Sequence, residues 1–90
     1  MAFLVLCYDK EDHLEKRLNS RSEHLDYLRK INKKLLLAGP ILDDNNNPKG
    51  SVLVLDFKEI KELKSFLKHD PYSKVDLFKE IKILNFKKVL

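Results

Sequence analysis

The 90-residue sequence has no tryptophan, one cysteine, one methionine, two glycines and three prolines. The lone Cys7 rules out an internal disulfide and fits a reducing compartment. No apolar run approaches the roughly 20 residues that a bilayer-spanning helix needs. Ala2–Leu6 is too short for a signal-peptide core, and no basic region precedes it. The expectation is a cytoplasmic protein without a membrane partner. Neither sign of charge dominates. Eighteen Lys and Arg against fourteen Asp and Glu give +4, and the lysines are scattered, not gathered in one block. That balance mildly favours anionic small-molecule ligands and does not by itself indicate nucleic acid.

What is present describes one small globular domain spanning residues 1–90. The apolar share is 43% and the charged share 36%, both typical of a folded chain. A chain this short buries a modest fraction of its surface and often gains stability from a second subunit. Ala2–Tyr8 is apolar at every position and reads as a strand buried on both faces. Residues 13–35 keep helical spacing. Ser20 followed by Glu23 matches a capping box, so the spacing predicts a short first helix, a break, and a second helix starting at Ser20. His24 then falls in the first turns, where the helix dipole disfavours a protonated ring. Leu28, Ile31 and Leu35 follow it on the same face.

Leu35–Leu42 returns to strand character, and Gly39-Pro40 places it at an edge, because proline cannot donate to a ladder. Asp43–Gly50 is a polar hairpin loop and Ser51–Phe57 the next strand. Lys58–His69 reads as a helix with Ile60, Leu63, Phe66 and Leu67 inward, stopped by Asp70-Pro71. Tyr72–Phe78 is a connection with room for one helical turn. Glu80–Phe86 closes as a strand, and its apolar parity switches between Ile83 and Leu84 as if at a bulge. The order β-α-β-β-α-β is the split ferredoxin-like α+β arrangement: a four-stranded antiparallel sheet with helices on one face. Strands apolar on both sides leave the other face in need of a cover. A second copy of the chain, giving a homodimer with its sheets face to face, supplies one.

Three chemistries fail on spacing. An RNA-recognition sheet needs stacking aromatics on its third strand, and Ser51, Leu53 and Leu55 stand there instead. Asp43–Asn47 opens like a calcium loop but lacks its sixth-position glycine and closing glutamate. His13, His24 and His69 include no pair at metal-ligand spacing on one helix. His24 and Asp70 remain. A carboxylate on one ring nitrogen fixes the tautomer and frees the other nitrogen as a base. Asp70 followed by Pro71 is also an ordinary helix opening. The two roles are compatible if one carboxylate oxygen caps while the other binds the ring. Arg21 could hold a substrate carboxylate, Ser51 offers a hydroxyl, and Tyr72 a ring wall or a phenol donor. Each also has a plain structural explanation: a solvated surface charge, turn chemistry or packing.

Arg21-x-x-His24-Leu25-x-Tyr27-Leu28, Ala38-Gly39-Pro40, Gly50-Ser51, Asp70-Pro71-Tyr72 and Phe86-Lys87-Lys88-Val89 together resemble the YCII-like family, and the likeness covers nearly the whole chain. The resemblance implies a dimeric α+β barrel and an active site built on a His–Asp pair, here His24 and Asp70, with Ser51 nearby. Its wider superfamily includes muconolactone isomerase-like enzymes. The resulting expectation is a lyase- or isomerase-type acid–base enzyme acting on a small carboxylate or lactone, with no metal or organic cofactor. The alternatives are a dimeric module that binds a small acidic metabolite unchanged, and a structural dimer in which the pair is a buried polar contact.

Overall fold

The computed structural model describes residues 2–90. The chain runs β1 (Ala2–Asp9), α1 (Leu14–Arg29), a 3-10 turn (Asn32–Lys34), β2 (Leu35–Leu42), β3 (Pro48–Leu55), α2 (Ile60–Lys68), α3 (Pro71–Lys74) and β4 (Phe78–Phe86). The four strands form one antiparallel sheet in the order β2-β3-β1-β4. This is the ferredoxin-like α+β fold. β1 and β3 take the centre, where both of their ladder edges are paired. β2, which carries Pro40, takes an edge as its missing N–H requires. Among the described residues no helix is long and apolar enough to cross a membrane.

Register decides which side chains meet. Val5 pairs with Leu53 and Cys7 with Ser51, so these alternate residues share one face of the sheet. On that face Val5, Cys7, Leu53 and Leu55 pack against Leu28 of α1 and Leu63 and Leu67 of α2. Phe57 closes the cluster from the loop after β3. The Tyr27 hydroxyl donates to the Phe66 carbonyl at 2.7 Å and the two rings stack at 4.7 Å, tying α1 to α2. The opposite face carries Leu4, Leu6, Val52, Val54 and Leu84, an apolar surface with no helix over it. Leu37 and Leu84 on that side are about half exposed.

The capping box at Ser20 does not form. α1 is continuous from Leu14 to Arg29, and Ser20 lies mid-helix with its side chain buried. Its buried stripe is Arg17, Ser20, His24 and Leu28, while Leu14 and Leu18 face outward. Packing against the sheet outweighed the local signal: a small residue is needed at position 20, and a serine meets that need without starting a helix. His24 therefore sits about three turns in, beyond the reach of the N-terminal dipole. The helix ends before Ile31, and Leu35 belongs to β2.

β3 starts earlier than expected, at Pro48, and stops at Leu55. α2 is shorter at both ends than Lys58–His69, and β4 begins at Phe78. No bulge separates Ile83 from Leu84, which pair in sequence with Val5 and Leu4. Ile83 points to the core and Leu84 to the open face, so the parity switch needs no extra residue. The register slips instead between Tyr8 and Asp9, at the far end of β1. The polar loop is turn chemistry: the Asp43 carboxylate accepts from the Asn45 and Asn47 backbone N–H groups.

Gly50 pairs with Tyr8 and Ile41, and a Cβ built on it would run into the Cys7 backbone carbonyl. Gly39 has open space around the same position. Gly50→Ala is expected to cost about 2–3 kcal/mol of stability by forcing the central strands apart, and Gly39→Ala far less. Urea unfolding of the two variants measures the difference, and equal losses would contradict this packing.

Candidate functional site

The site lies where α1 crosses the ends of β1 and β3 and meets α3. Residues 71–77 are pinned there. The Lys10 N–H donates to the Leu77 carbonyl at 2.9 Å, Leu77 N–H to Tyr72 at 3.1 Å, and the Lys16 ammonium to the Val75 carbonyl at 3.0 Å. An exposed Lys10–Asp76 pair adds a modest contribution. This holds α3 against α1, with Asp70 as its N-cap and Pro71 at its first position.

Asp70 is almost fully buried and does two jobs. Its Oδ1 accepts from the Tyr72 backbone N–H at 2.9 Å and from His24 Nδ1 at 2.8 Å, and Oδ2 lies 3.0 Å from the same Nδ1. One oxygen serves both roles, so the expected division between the two oxygens does not hold. A carboxylate only accepts, so Nδ1 carries a hydrogen, and in the neutral tautomer this selects the lone pair is at Nε2. Nε2 bonds to no protein group among the described residues. Among the described residues no buried side-chain nitrogen or oxygen lacks a partner, so Nε2 keeps contact with open space.

The Tyr72 ring stacks on the His24 ring at 3.9 Å with 16° between planes. The Arg17 guanidinium lies 4.6 Å from the same ring's centroid. Phe78 meets Tyr72 edge-on at 5.9 Å. Burial pushes the Tyr72 phenol up from its ordinary pKa, and the Arg17 and Arg21 charges pull it part of the way back, so it stays a donor at neutral pH.

Arg17 and Asp9 were not legible as site residues. Arg17 is buried, donates from Nε to Asp9 Oδ2 at 2.5 Å and from Nη2 to Asp9 Oδ1 at 2.9 Å, and reaches Ser51 Oγ at 2.9 Å. The register slip at the end of β1 falls beside Asp9, and such irregularities re-aim a side chain. Arg17, Ser20, His24 and Leu28, at steps of three, four and four, were the available signal, hidden by the false break at Ser20.

These residues open onto a cavity of about 360 Å³. Its polar end holds Arg17, Arg21, His24, Ser51 and Tyr72, and its apolar wall includes Leu25, Leu28, Leu53 and Pro40. The structure thus brings together His24, Asp70, Arg21, Ser51 and Tyr72. Arg21 stands at the exposed rim, and Asp70 lies behind the ring instead of in the cavity. A dry cavity of about 150 Å³ accepts benzene, so this one has room for a substituted ring. His13 and His69 are tied to nearby carbonyls, of Glu11 and Ser65. Among the described residues, no cluster of three His, Cys, Asp or Glu side chains is placed to hold a metal.

Cys7 lies beneath the site and is not a nucleophile. Burial pushes its thiol up to about 12, with the Asp70 charge adding to the effect. The folded protein therefore keeps this proton at pH values where the unfolded chain, near its ordinary value of 9.0, releases it. Stability is expected to fall as pH rises above about 9, by up to about 1.4 kcal/mol per unit from this group. Denaturant unfolding at pH 8–10.5 should show this slope in the wild type in excess of Cys7→Ala; equal slopes would refute it.

Comparison with known proteins agrees with this architecture. Residues 1–87 match the sequence model of the YCII-related domain. The chain is 32% identical over 97 residues to Protein YciI of Escherichia coli O6:H1, covering 99% of each chain. It is 31% identical to an uncharacterized Haemophilus influenzae protein over the same span. Among solved structures it superposes at TM-score 0.90 and 29% identity on 5-chloro-2-hydroxyhydroquinone dehydrochlorinase from Burkholderia phenoliruptrix in complex with 2,5-dihydroxybenzoquinone, covering 97% of this chain and 94% of that one. A likeness to an antibiotic biosynthesis monooxygenase of Nitrosomonas europaea, at 14% identity, TM-score 0.60 and 99% and 98% coverage, concerns the fold alone. With its family match running nearly end to end and its fold in agreement, the chain belongs to the YCII family.

Proposed function

We propose that the protein is a small-molecule enzyme that removes a proton beside a carbonyl, with His24 as base and Asp70 as the group that orients it. The observation that carries this reading is the buried Nδ1–Asp70 contact at 2.8 and 3.0 Å, on a ring whose Nε2 stays open. Nε2 takes the proton from carbon, the C–H electron pair moves toward the carbonyl, and negative charge develops on its oxygen. Return of the proton at another carbon gives an isomer. Departure of a chloride or similar group from the neighbouring carbon gives a lyase product. These steps ask for no metal or organic cofactor.

The cavity's apolar wall and polar end suit a small anionic compound, a carboxylate, lactone or hydroxylated ring. The likeness to a dehydrochlorinase favours the ring. Arg21, a cation at the rim with no ion-pair partner among the described residues, attracts the anion, and Tyr72 offers its phenol. The second reading, a module that holds such a ligand unchanged, uses the same cavity and differs only in turnover.

The bare sheet face, with Leu4, Leu6, Val52 and Val54 at its centre, supports a homodimer whose two sheets pack together. Sedimentation should give twice 10.6 kDa, and Leu84→Lys should shift the population toward monomer. A monomeric wild type at micromolar concentration would refute the assembly.

The functional test is chloride release from a small cyclic β-chloro ketone, together with α-proton exchange of small lactones in D2O. His24→Gln is expected to lose about 10²–10⁴-fold in rate, with binding retained. Asp70→Asn should lose rate while keeping an oxygen to cap α3. Unchanged rates in His24→Gln would refute the base. Binding without turnover in the wild type would favour the module.

A further inference from the structure

The cavity has two unlike walls. One is α1, with Arg21, His24 and Leu25. The other is β2 and the turn that follows it, with Ala38, Gly39, Pro40, Leu42, Asn46 and Pro48. Among the described residues, Asn46 is the only polar side chain on that second wall, and Pro40 and Pro48 lack even a backbone N–H. Side-chain hydrogen bonding to a ligand from this side therefore falls to a single carboxamide.

The turn that carries Asn46 is closed on itself. The Asp43 N–H donates to the Asn47 carbonyl at 2.8 Å, and the Asn46 N–H to the Asp43 carbonyl at 3.0 Å. The Asp43 carboxylate takes the Asn45 and Asn47 N–H groups at 2.8 and 3.0 Å. The Asn46 side chain enters none of these bonds. Its φ is 64°, in the left-handed region that glycine, asparagine and aspartate tolerate best. Glycine there would bring no group to the cavity, and aspartate would bring a negative charge. Asparagine brings a neutral amide with two N–H donors and one oxygen.

Charge points the same way. Among the described residues no Asp or Glu lines the cavity, although the turn itself carries Asp43 and Asp44. Asp43 is occupied within the turn, and Asp44 lies outside the lining. Arg21, exposed and without an ion-pair partner among the described residues, stands on the opposite wall. The cavity, at about 360 Å³, is more than twice the ~150 Å³ that accepts benzene, so a ring placed at His24 leaves room for a substituent. Asn46 and Arg21, both exposed, bound that room at the rim.

We propose that Asn46 is a specificity-determining residue: with Arg21 it receives an anionic oxygen group on the edge of the substrate ring remote from the carbon that His24 deprotonates. The substrate class is then a cyclic carbonyl compound with a carboxylate or ionised hydroxyl across the ring. The position of the reacting carbon rests on the acid–base reading above, and the anionic edge rests on the two walls alone.

The probes are 4-oxocyclohexanecarboxylate, whose carboxylate lies across the ring from its ketone, and the neutral carboxamide of the same ring. Dissociation constants are measured by calorimetry at about 0.15 M salt, where exposed charges are screened beyond about 8 Å. The wild type is expected to bind the acid at least about tenfold more tightly than the amide. Asn46→Asp keeps the side-chain shape and tolerates the same φ. It is expected to weaken the acid by at least about tenfold and to move the amide by less than about threefold. Asn46→Gly, which keeps the turn and removes the amide, should weaken the acid about five- to tenfold. Asn45→Asp places the same charge one residue away, outside the cavity lining, and should leave the acid-to-amide ratio within about twofold of wild type.

Equal affinity for acid and amide in the wild type, or an equal fall of their ratio in Asn46→Asp and Asn45→Asp, overturns the inference. So does a wild type that binds neither compound. α-Proton exchange of the same ketone in D2O reports on His24 separately. A wild type that prefers the acid but exchanges no proton refutes the base and leaves the anionic edge standing.

Discussion

The arrangement depends on the Asp70 carboxylate. It is buried, it caps a single turn of helix, and it holds a ring on a different helix. Taking such a group out of water is costly unless its oxygens are paired, and here the Tyr72 N–H and His24 Nδ1 pair them. Folding of α3 and orientation of the imidazole are therefore one event. A capping residue that served only its helix could sit at the surface. Asp70 sits inside because its second partner does.

A second carboxylate repeats the pattern. Asp9 stands behind Arg17 as Asp70 stands behind His24, and both arms reach the cavity from the buried stripe of α1. Tyr72 packs against both arms, so its ring fixes the distance between an acceptor and a set of donors. Very different chemistry thus rests on one helix face, and the sheet below it contributes only Ser51, Asp9 and apolar wall. The remaining sheet surface, on the other side, is free to serve assembly without disturbing the site.

The fold was largely readable because its signals were redundant. One strand without a polar position, a second apolar on both faces, a proline in a third and a polar cluster between hairpin strands all pointed to the same order of elements. His24 and Asp70 were readable for a similar reason: each is an ionisable residue at a position that packing makes inward. Arg17 was not. An arginine on a helix rich in charge looks solvated, and only the three-dimensional position of Asp9, set by a register slip, makes it buried. The false helix start at Ser20 shows the same limit. A capping pattern is local, and the burial that overruled it came from a sheet distant in sequence.

The central claim is that Asp70 holds His24 in the tautomer that leaves Nε2 free inside the cavity. The most direct measurement is the 15N chemical shifts of the His24 ring in uniformly labelled protein, followed while 2,5-dihydroxybenzoquinone is added. In the neutral ring the account predicts a protonated Nδ1 and a bare Nε2, with Nε2 shifting on addition of the ring compound. A proton on Nε2 and a bare Nδ1, or a ring blind to the added compound, would contradict it.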